Sequence, residues 1–319
     1  MALLRHYWRA LLVGLAAFCA FASPAILPPG RLDWLLTQGD PAQHFIGWHF
    51  YRHTPLTQLP PGANPAYGEQ LASSIVYTDS IPLLALPLRL FDGVLPAQFQ
   101  YMGLWMLACF VLQALFAWKL LEPYAAGRRG SVLLPATALL VLAPIMLTRL
   151  YGHEALAGQW LILAALHLYL SRRAATGKWV LLALAATLVH AYLLAMVAAV
   201  WLTASARALL AGTYARRDVG LQALLVPLTI VLAAWTAGYF VLPPGGHMSG
   251  FGTYRMDLNA FVSPLTVWSN FGATAYEPGE YEGFAYLGAG VLALAVYVVA
   301  LRLYRHTTTP GPRVFDAPL

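Results

Sequence analysis

The sequence predicts an all-α integral membrane protein of about eight transmembrane helices with two long outer loops, and three observations predict it. Of 319 residues, 60% are hydrophobic and 10% charged, where a soluble domain runs near a quarter charged. Uncharged runs at 10–30, 93–118, 130–148, 155–171, 179–206 and 283–301 approach or exceed the ~20 residues that cross a bilayer. Lys and Arg fall in short clusters between those runs, as in cytoplasmic loops, which also excludes a nucleic-acid-binding patch despite the net charge of +6. Cys19 and Cys109 lie inside apolar runs and form no CxxC or Cys/His cluster, so a disulfide framework and a zinc site have no support.

With the N-terminus in the cytoplasm, the predicted crossings are 10–27, 99–118, 131–148, 155–171, 179–190, 191–206, 221–242 and 284–301, with both termini inside. In the first, Arg5, Arg9 and Ala20-Phe21-Ala22 imitate a secretory signal. The run continues uncharged to Gly30 and leaves through Pro24, Pro28 and Pro29, which favours a retained helix. Segment 81–91, bounded by Asp79, Pro82 and Asp92, is too short to cross and reads as a membrane-surface or re-entrant helix. The stretch 179–206 would make one helix of about 42 Å against a core of about 30 Å, so it is one tilted span or two meeting near His190. Charge favours two: fourteen Lys and Arg then lie inside and five outside, against nine and ten for one span. Ten of thirteen carboxylates fall outside, concentrated in the loops 28–98 and 243–283, where function is expected. Residues 1–306 form one module and 307–319 a short tail.

The first outer loop contains Gly39-Asp40-Pro41-Ala42-Gln43-His44. On a helix from Pro41, Asp40 and His44 lie one turn apart, suited to a general base or a pair of metal ligands. The same residues also read as a helix start, with Asp40 as N-cap, Pro41 at the first position and Gln43 two residues later. Asp79 or Ser80 suits the cap of the short helix, or Asp79 is a second acid. Arg149, His153 and Glu154 form either a site or a polar turn with a snorkelling arginine. His190 and His167 read as structural. Arg255 is the one Lys or Arg between Arg217 and Arg302, placed to face a phosphate or to pair with Asp257 or a lipid head group. Glu282 belongs to that same loop, and Tyr281 reads as an interfacial aromatic.

Four stretches carry a resemblance: Gly-Asp-Pro-Ala-Gln-His at 39–44, Ser-Ile-Val-Tyr-Thr-Asp-Ser-Ile-Pro at 74–82, Gly-His-Glu at 152–154 and Tyr-Glu-Gly-Phe-Ala-Tyr-Leu-Gly at 281–288. Across 39–298 the chain resembles an uncharacterised bacterial family of polytopic membrane proteins similar in layout to the C-class (GT-C) glycosyltransferases. The resemblance implies an inner-membrane enzyme that moves a sugar from a polyprenyl-phosphate donor to an acceptor on the periplasmic side, with inversion. It makes Asp40 the general base and has Arg255, with Arg149, stabilise the leaving phosphate. Gln43, His44, Asp79, His153, Glu154, Tyr281 and Glu282 complete the implied substrate site. A divalent cation, Mg2+ or Mn2+, is used by some such enzymes, with Asp40 and His44 the candidate ligands here. Many relatives continue into a C-terminal domain, whereas this chain ends about 18 residues after the last apolar run, which suggests a minimal module, a truncated product, or half of an assembly whose partner subunit supplies that domain. The competing expectations are a transporter or flippase for a lipid-linked glycan, and a non-catalytic scaffold. Acids in outer loops, with no detectable repeat, favour the enzyme over the transporter.

Overall fold

The computed structural model describes residues 2–37, 39–68, 73–150, 152–171, 175–212, 215–241, 254–274 and 279–308, apart from the side chains of 2–5, Arg129, Tyr281 and 306–308. Parts of the second outer loop and most of the tail therefore lie outside the described residues. The chain is mostly helical: α1 (Ala2–Phe21), α2 (Asp40–Arg52), α3 (Pro82–Arg89), α4 (Met102–Leu121), α5 (Leu134–Val141), α6 (Pro144–Leu147), α7 (Trp160–Leu170), α8 (Thr176–Val189), α9 (Ala191–Leu210), α10 (Arg216–Ala237), α11 (Leu265–Trp268) and α12 (Ala289–Thr308). The strands among the described residues, β1 (Ala63–Asn64) and β2 (Ser73–Ser74), pair antiparallel with Ala63 opposite Ser74.

Among the described residues, three helices are long and apolar enough to cross a membrane: Met102–Tyr124, Ala191–Leu210 and Arg216–Ala237. Also among the described residues, four shorter apolar helices, His6–Phe21, Gly130–Val141, Glu154–Leu170 and Thr176–Val189, overlap in sequence with segments expected to cross. The run 179–206 breaks at His190, whose backbone is extended (φ −164°, ψ 140°) and whose ring accepts the Tyr192 N–H at 3.1 Å as the N-cap of α9. The expected crossing at 131–148 is interrupted after Val141, and α5 and α6 are two short pieces.

The chain divides into two compact units. In the first (Met1–Leu142 with Met146–His247), α4 packs against α1, α5 and α7, and α8 packs against α9 and α10. A Cβ on Gly14 would lie 2.7 Å from the Phe110 carbonyl oxygen, so only glycine lets α1 and α4 approach this closely. Along α9 and α10 most apolar side chains stay exposed, among them Met196, Leu202, Leu224, Leu228 and Leu232, a surface that water does not stabilise. At the C-terminal end of α4, His6 meets Glu122 at 2.9 Å and the Lys119 ammonium lies 5.4 Å from the Tyr7 ring centroid. The Arg207 guanidinium lies 5.1 Å from the Tyr169 ring, between the C-terminal ends of α9 and α7. In the second unit (Ala143–Ile145 with Met248–Leu319), Leu265, Phe284 and Tyr286 form a small core against Ile145 and Leu292, and the Leu287 N–H donates to the Phe261 carbonyl at 3.1 Å.

Candidate active site: a carboxylate–histidine cluster at one end of the first unit

The cluster begins at α2. Gly39, with φ 94°, is the N-cap, and Asp40 opens the helix without making a capping hydrogen bond. The N-cap expectation for Asp40 is therefore corrected: the positive φ at residue 39 belongs to a glycine, and the helix starts one residue earlier than Pro41. Asp40 and His44 still lie one turn apart but reach different partners. Asp40 Oδ2 lies 3.9 Å from His153 Nε2, while His44 Nδ1 is hydrogen-bonded to the Glu154 carboxylate from the turn before α7.

Glu154 is fully buried and His44 is 2% exposed. The Gly152 N–H lies 3.5 Å from Glu154 Oε1, and the Trp105 indole N–H donates to the Glu154 carbonyl at 2.7 Å. Burial opposes charge on His44, but the hydrogen bond to Glu154 and the charges of Glu154, Asp79 and Asp40 outweigh it and raise its pKa. The buried carboxylate beside it thus favours the charged form of the imidazole.

Asp79 comes from the turn before α3. Its Oδ2 lies 3.8 Å from His44 Nε2 and its Oδ1 lies 3.4 Å from His190 Nε2. Neither Asp79 nor Ser80 caps α3, contrary to the cap expectation: the N-cap is Ile81, and no side chain bonds the helix start. Ser80 Oγ instead donates to the His44 carbonyl at 3.0 Å and lies 2.8 Å from Thr78 Oγ1. The Gln43 amide donates to the Tyr77 carbonyl at 3.1 Å. This loop reaches α2 only because residue 47 is glycine, where a Cβ would stand 2.3 Å from Thr78 Oγ1. Exposure rises from Glu154 and His44 through Asp79 at 22% to Asp40 at 52%, so the cluster runs from a dry interior to an open acid.

Of the site residues expected from sequence, Asp40, Gln43, His44, Asp79, His153 and Glu154 come together here. Arg149 is half-buried and lies within electrostatic range of His190. Arg255 and Glu282 belong to the second unit, where Arg255 Nε is 3.3 Å from Glu280 Oε1, and Asp257 accepts the Asn259 N–H at 3.1 Å. The side chain of Tyr281 lies outside the described residues. His190, read from sequence as structural, lies beside this cluster as well; the signal was a 28-residue apolar stretch too long for one crossing, in which His190 is the single histidine.

The surrounding loop is held by two buried arginines. Arg52 pairs with Asp92 and donates to the Pro96 carbonyl at 2.9 Å, and Arg89 donates to the carbonyls of Pro61 and Thr54, both at 2.9 Å. A cavity of about 310 Å³ beside α2 is lined by His49, Phe50, His53, Thr54, Pro55, Pro65 and Ala66, and none of the expected site residues borders it. Chemistry rather than cavity size therefore locates the candidate site. Among the described residues no three His, Cys, Asp or Glu side chains are grouped to hold a metal ion, and Asp40 and His44 face different partners.

A family model described as a domain of unknown function (DUF6311) matches residues 11–315. No curated protein and no solved structure matches the chain.

Proposed function

This chain belongs to the DUF6311 family, and we propose that it is a membrane glycosyltransferase of C-class layout. It takes a sugar from a polyprenyl-phosphate donor and passes it, with inversion, to an acceptor on the periplasmic side of a bacterial inner membrane. The observation that carries this reading is the convergence of Asp40, His44, Asp79, His153 and Glu154, from three separate stretches, at one end of the apolar helices. On this reading the chain crosses eight times, with the basic helix ends and both termini in the cytoplasm. Ionisable groups gathered at a helix end, and not at mid-helix, favour surface chemistry over transport.

Asp40 is the general base because it is the exposed acid of the cluster. It takes the proton of an acceptor hydroxyl as that oxygen bonds to the anomeric carbon. The bond from that carbon to the phosphate oxygen breaks, and its electron pair leaves on the phosphate. Arg149 supplies positive charge beside the reacting groups, and the His153 imidazole lies 3.9 Å from Asp40.

The test is sugar transfer or release from radiolabelled polyprenyl-phosphate monosaccharides by purified protein in lipid, with divalent metal added and then chelated. Asp40→Asn is expected to lower the rate by at least about 100-fold. Thermal stability should stay near wild type, since the carboxylate caps nothing. Folded wild-type protein that turns over no donor, or Asp40→Asn with full activity, refutes the assignment.

A further inference from the structure

We propose that His190 is a positioning residue that holds Asp79 as the second working carboxylate of the site, an inference that rests on the glycosyltransferase reading. His190 Nδ1 accepts the Tyr192 N–H at 3.1 Å. A ring nitrogen that accepts carries no proton, so the neutral imidazole has its proton on Nε2. That Nε2 lies 3.4 Å from Asp79 Oδ1. The other oxygen, Oδ2, lies 3.8 Å from His44 Nε2, and His44 is anchored through Nδ1 on Glu154. Glu154, His44, Asp79 and His190 thus alternate acid and imidazole, and Asp79 faces an imidazole nitrogen at each oxygen.

The backbone supports the same assignment. Asp79 and Ile81 both adopt φ 48°, in the left-handed region that L-residues rarely occupy and that a β-branched residue such as Ile81 occupies least. Ser80 between them is fixed from both sides, donating to the His44 carbonyl and accepting at its own carbonyl from the Tyr101 hydroxyl. Such strain persists where surrounding contacts over-determine it. Here it places a carboxylate that caps no helix between two imidazoles. The groups around His190 are Asp79, His44, His153 and Arg149, with the Tyr192 ring centroid at 4.9 Å. Tyr239, after the end of α10, is within electrostatic range of Asp79.

In the reaction Asp79 forms no bond and moves no proton. Its negative charge faces the anomeric carbon, which becomes positive as the phosphate departs, while Asp40 receives the acceptor's proton. His190 acts through Asp79 by fixing where that charge points.

The experiment pairs two readouts on the full-length protein in lipid nanodiscs. In NMR with 15N-labelled histidine, His190 is expected as the Nε2–H tautomer, with a signal that shifts in Asp79→Asn. An Nδ1–H tautomer, or no response to Asp79→Asn, overturns the pairing. In the transfer assay His190→Ala should lower kcat by about 10- to 100-fold, the size found when the hydrogen-bonded partner behind a metal ligand is lost. The donor KM should change little and the pH profile should shift. His190→Gln, whose amide N–H replaces Nε2–H, should recover most of the rate, and Asp79→Asn combined with His190→Ala should be no slower than Asp79→Asn alone. Unchanged kcat in His190→Ala overturns the positioning role and leaves the glycosyltransferase reading standing, as does equal loss of kcat and melting temperature in the Ala and Gln variants. Wild-type protein without turnover overturns that reading, and the role of Asp79 with it, whatever the tautomer.

Discussion

At the Met102 end of α4, Glu154 and His44 are withdrawn from solvent and joined to each other, whereas at the Leu121 end His6 and Glu122 meet at 2.9 Å with side chains 37% and 26% exposed. The chemistry is the same imidazole and carboxylate, but the surroundings differ. A pair near water gains ~0–1 kcal/mol because water and salt screen it. A buried pair gains little net, yet breaking it strands a charge and costs about 3–5 kcal/mol. The exposed pair can therefore be explained as helix-end decoration, while the buried one is a strict requirement that stability alone does not account for. On the glycosyltransferase reading, the acidic end places charge and the basic end meets a boundary. There Lys119 and Arg207 lie over aromatic rings, with cation-to-centroid distances of 5.4 and 5.1 Å.

The largest way to break that contrast is Glu154→Ala, expected to destabilise the protein by about 3–5 kcal/mol as read from its unfolding midpoint in detergent. A loss no larger than that of an exposed pair would erase the difference between the two ends. A pH series sharpens it. The folded pKa of His44 is raised, so its protonated form contributes stability that is fully present below the ordinary imidazole value of about 6.5 and is lost as pH rises through the folded value above it. The melting temperature should therefore fall as pH rises above about 6.5, and Glu154→Gln, which removes the charge that raises the pKa, should flatten that fall. An undiminished pH dependence in Glu154→Gln would detach it from this pair. The smallest effect is expected at the basic end, where Glu122→Gln should shift stability by less than about 1 kcal/mol and by still less at high salt.

Much of this arrangement is legible in the amino-acid order. Apolar runs locate the helices, and Asp40, His44, Asp79, His153 and Glu154 stand out because polar groups beside such runs need a reason. Their mutual approach is not legible, since 110 residues separate His44 from Glu154 and nothing in the order of residues encodes that distance. The caps are misread for a local reason. Asp40 and Asp79 have the side chains of helix caps, but positive φ at Gly39 and at Ile81 hands the cap position to a neighbour. Arg52 and Arg89 read as two more loop cations, and only the structure brings them to the carbonyls that bury them. His190 reads as a lone structural histidine because its partner Asp79 lies on the far side of six α-helices in sequence.

The two buried arginines also set an order of assembly. Every described hydrogen-bond partner of Arg52 and Arg89, namely Asp92, Leu95, Pro96 and Ala97 for one and Tyr51, Thr54, Pro55 and Pro61 for the other, lies within the same stretch of chain. The loop can lock as it emerges from the ribosome, before α4 is made. His44 must then wait for Glu154, a delay on the order of 5–20 s at ordinary rates of synthesis. During that interval the platform exists without its buried carboxylate, and a newly made imidazole stands open to whatever the translocating chain meets.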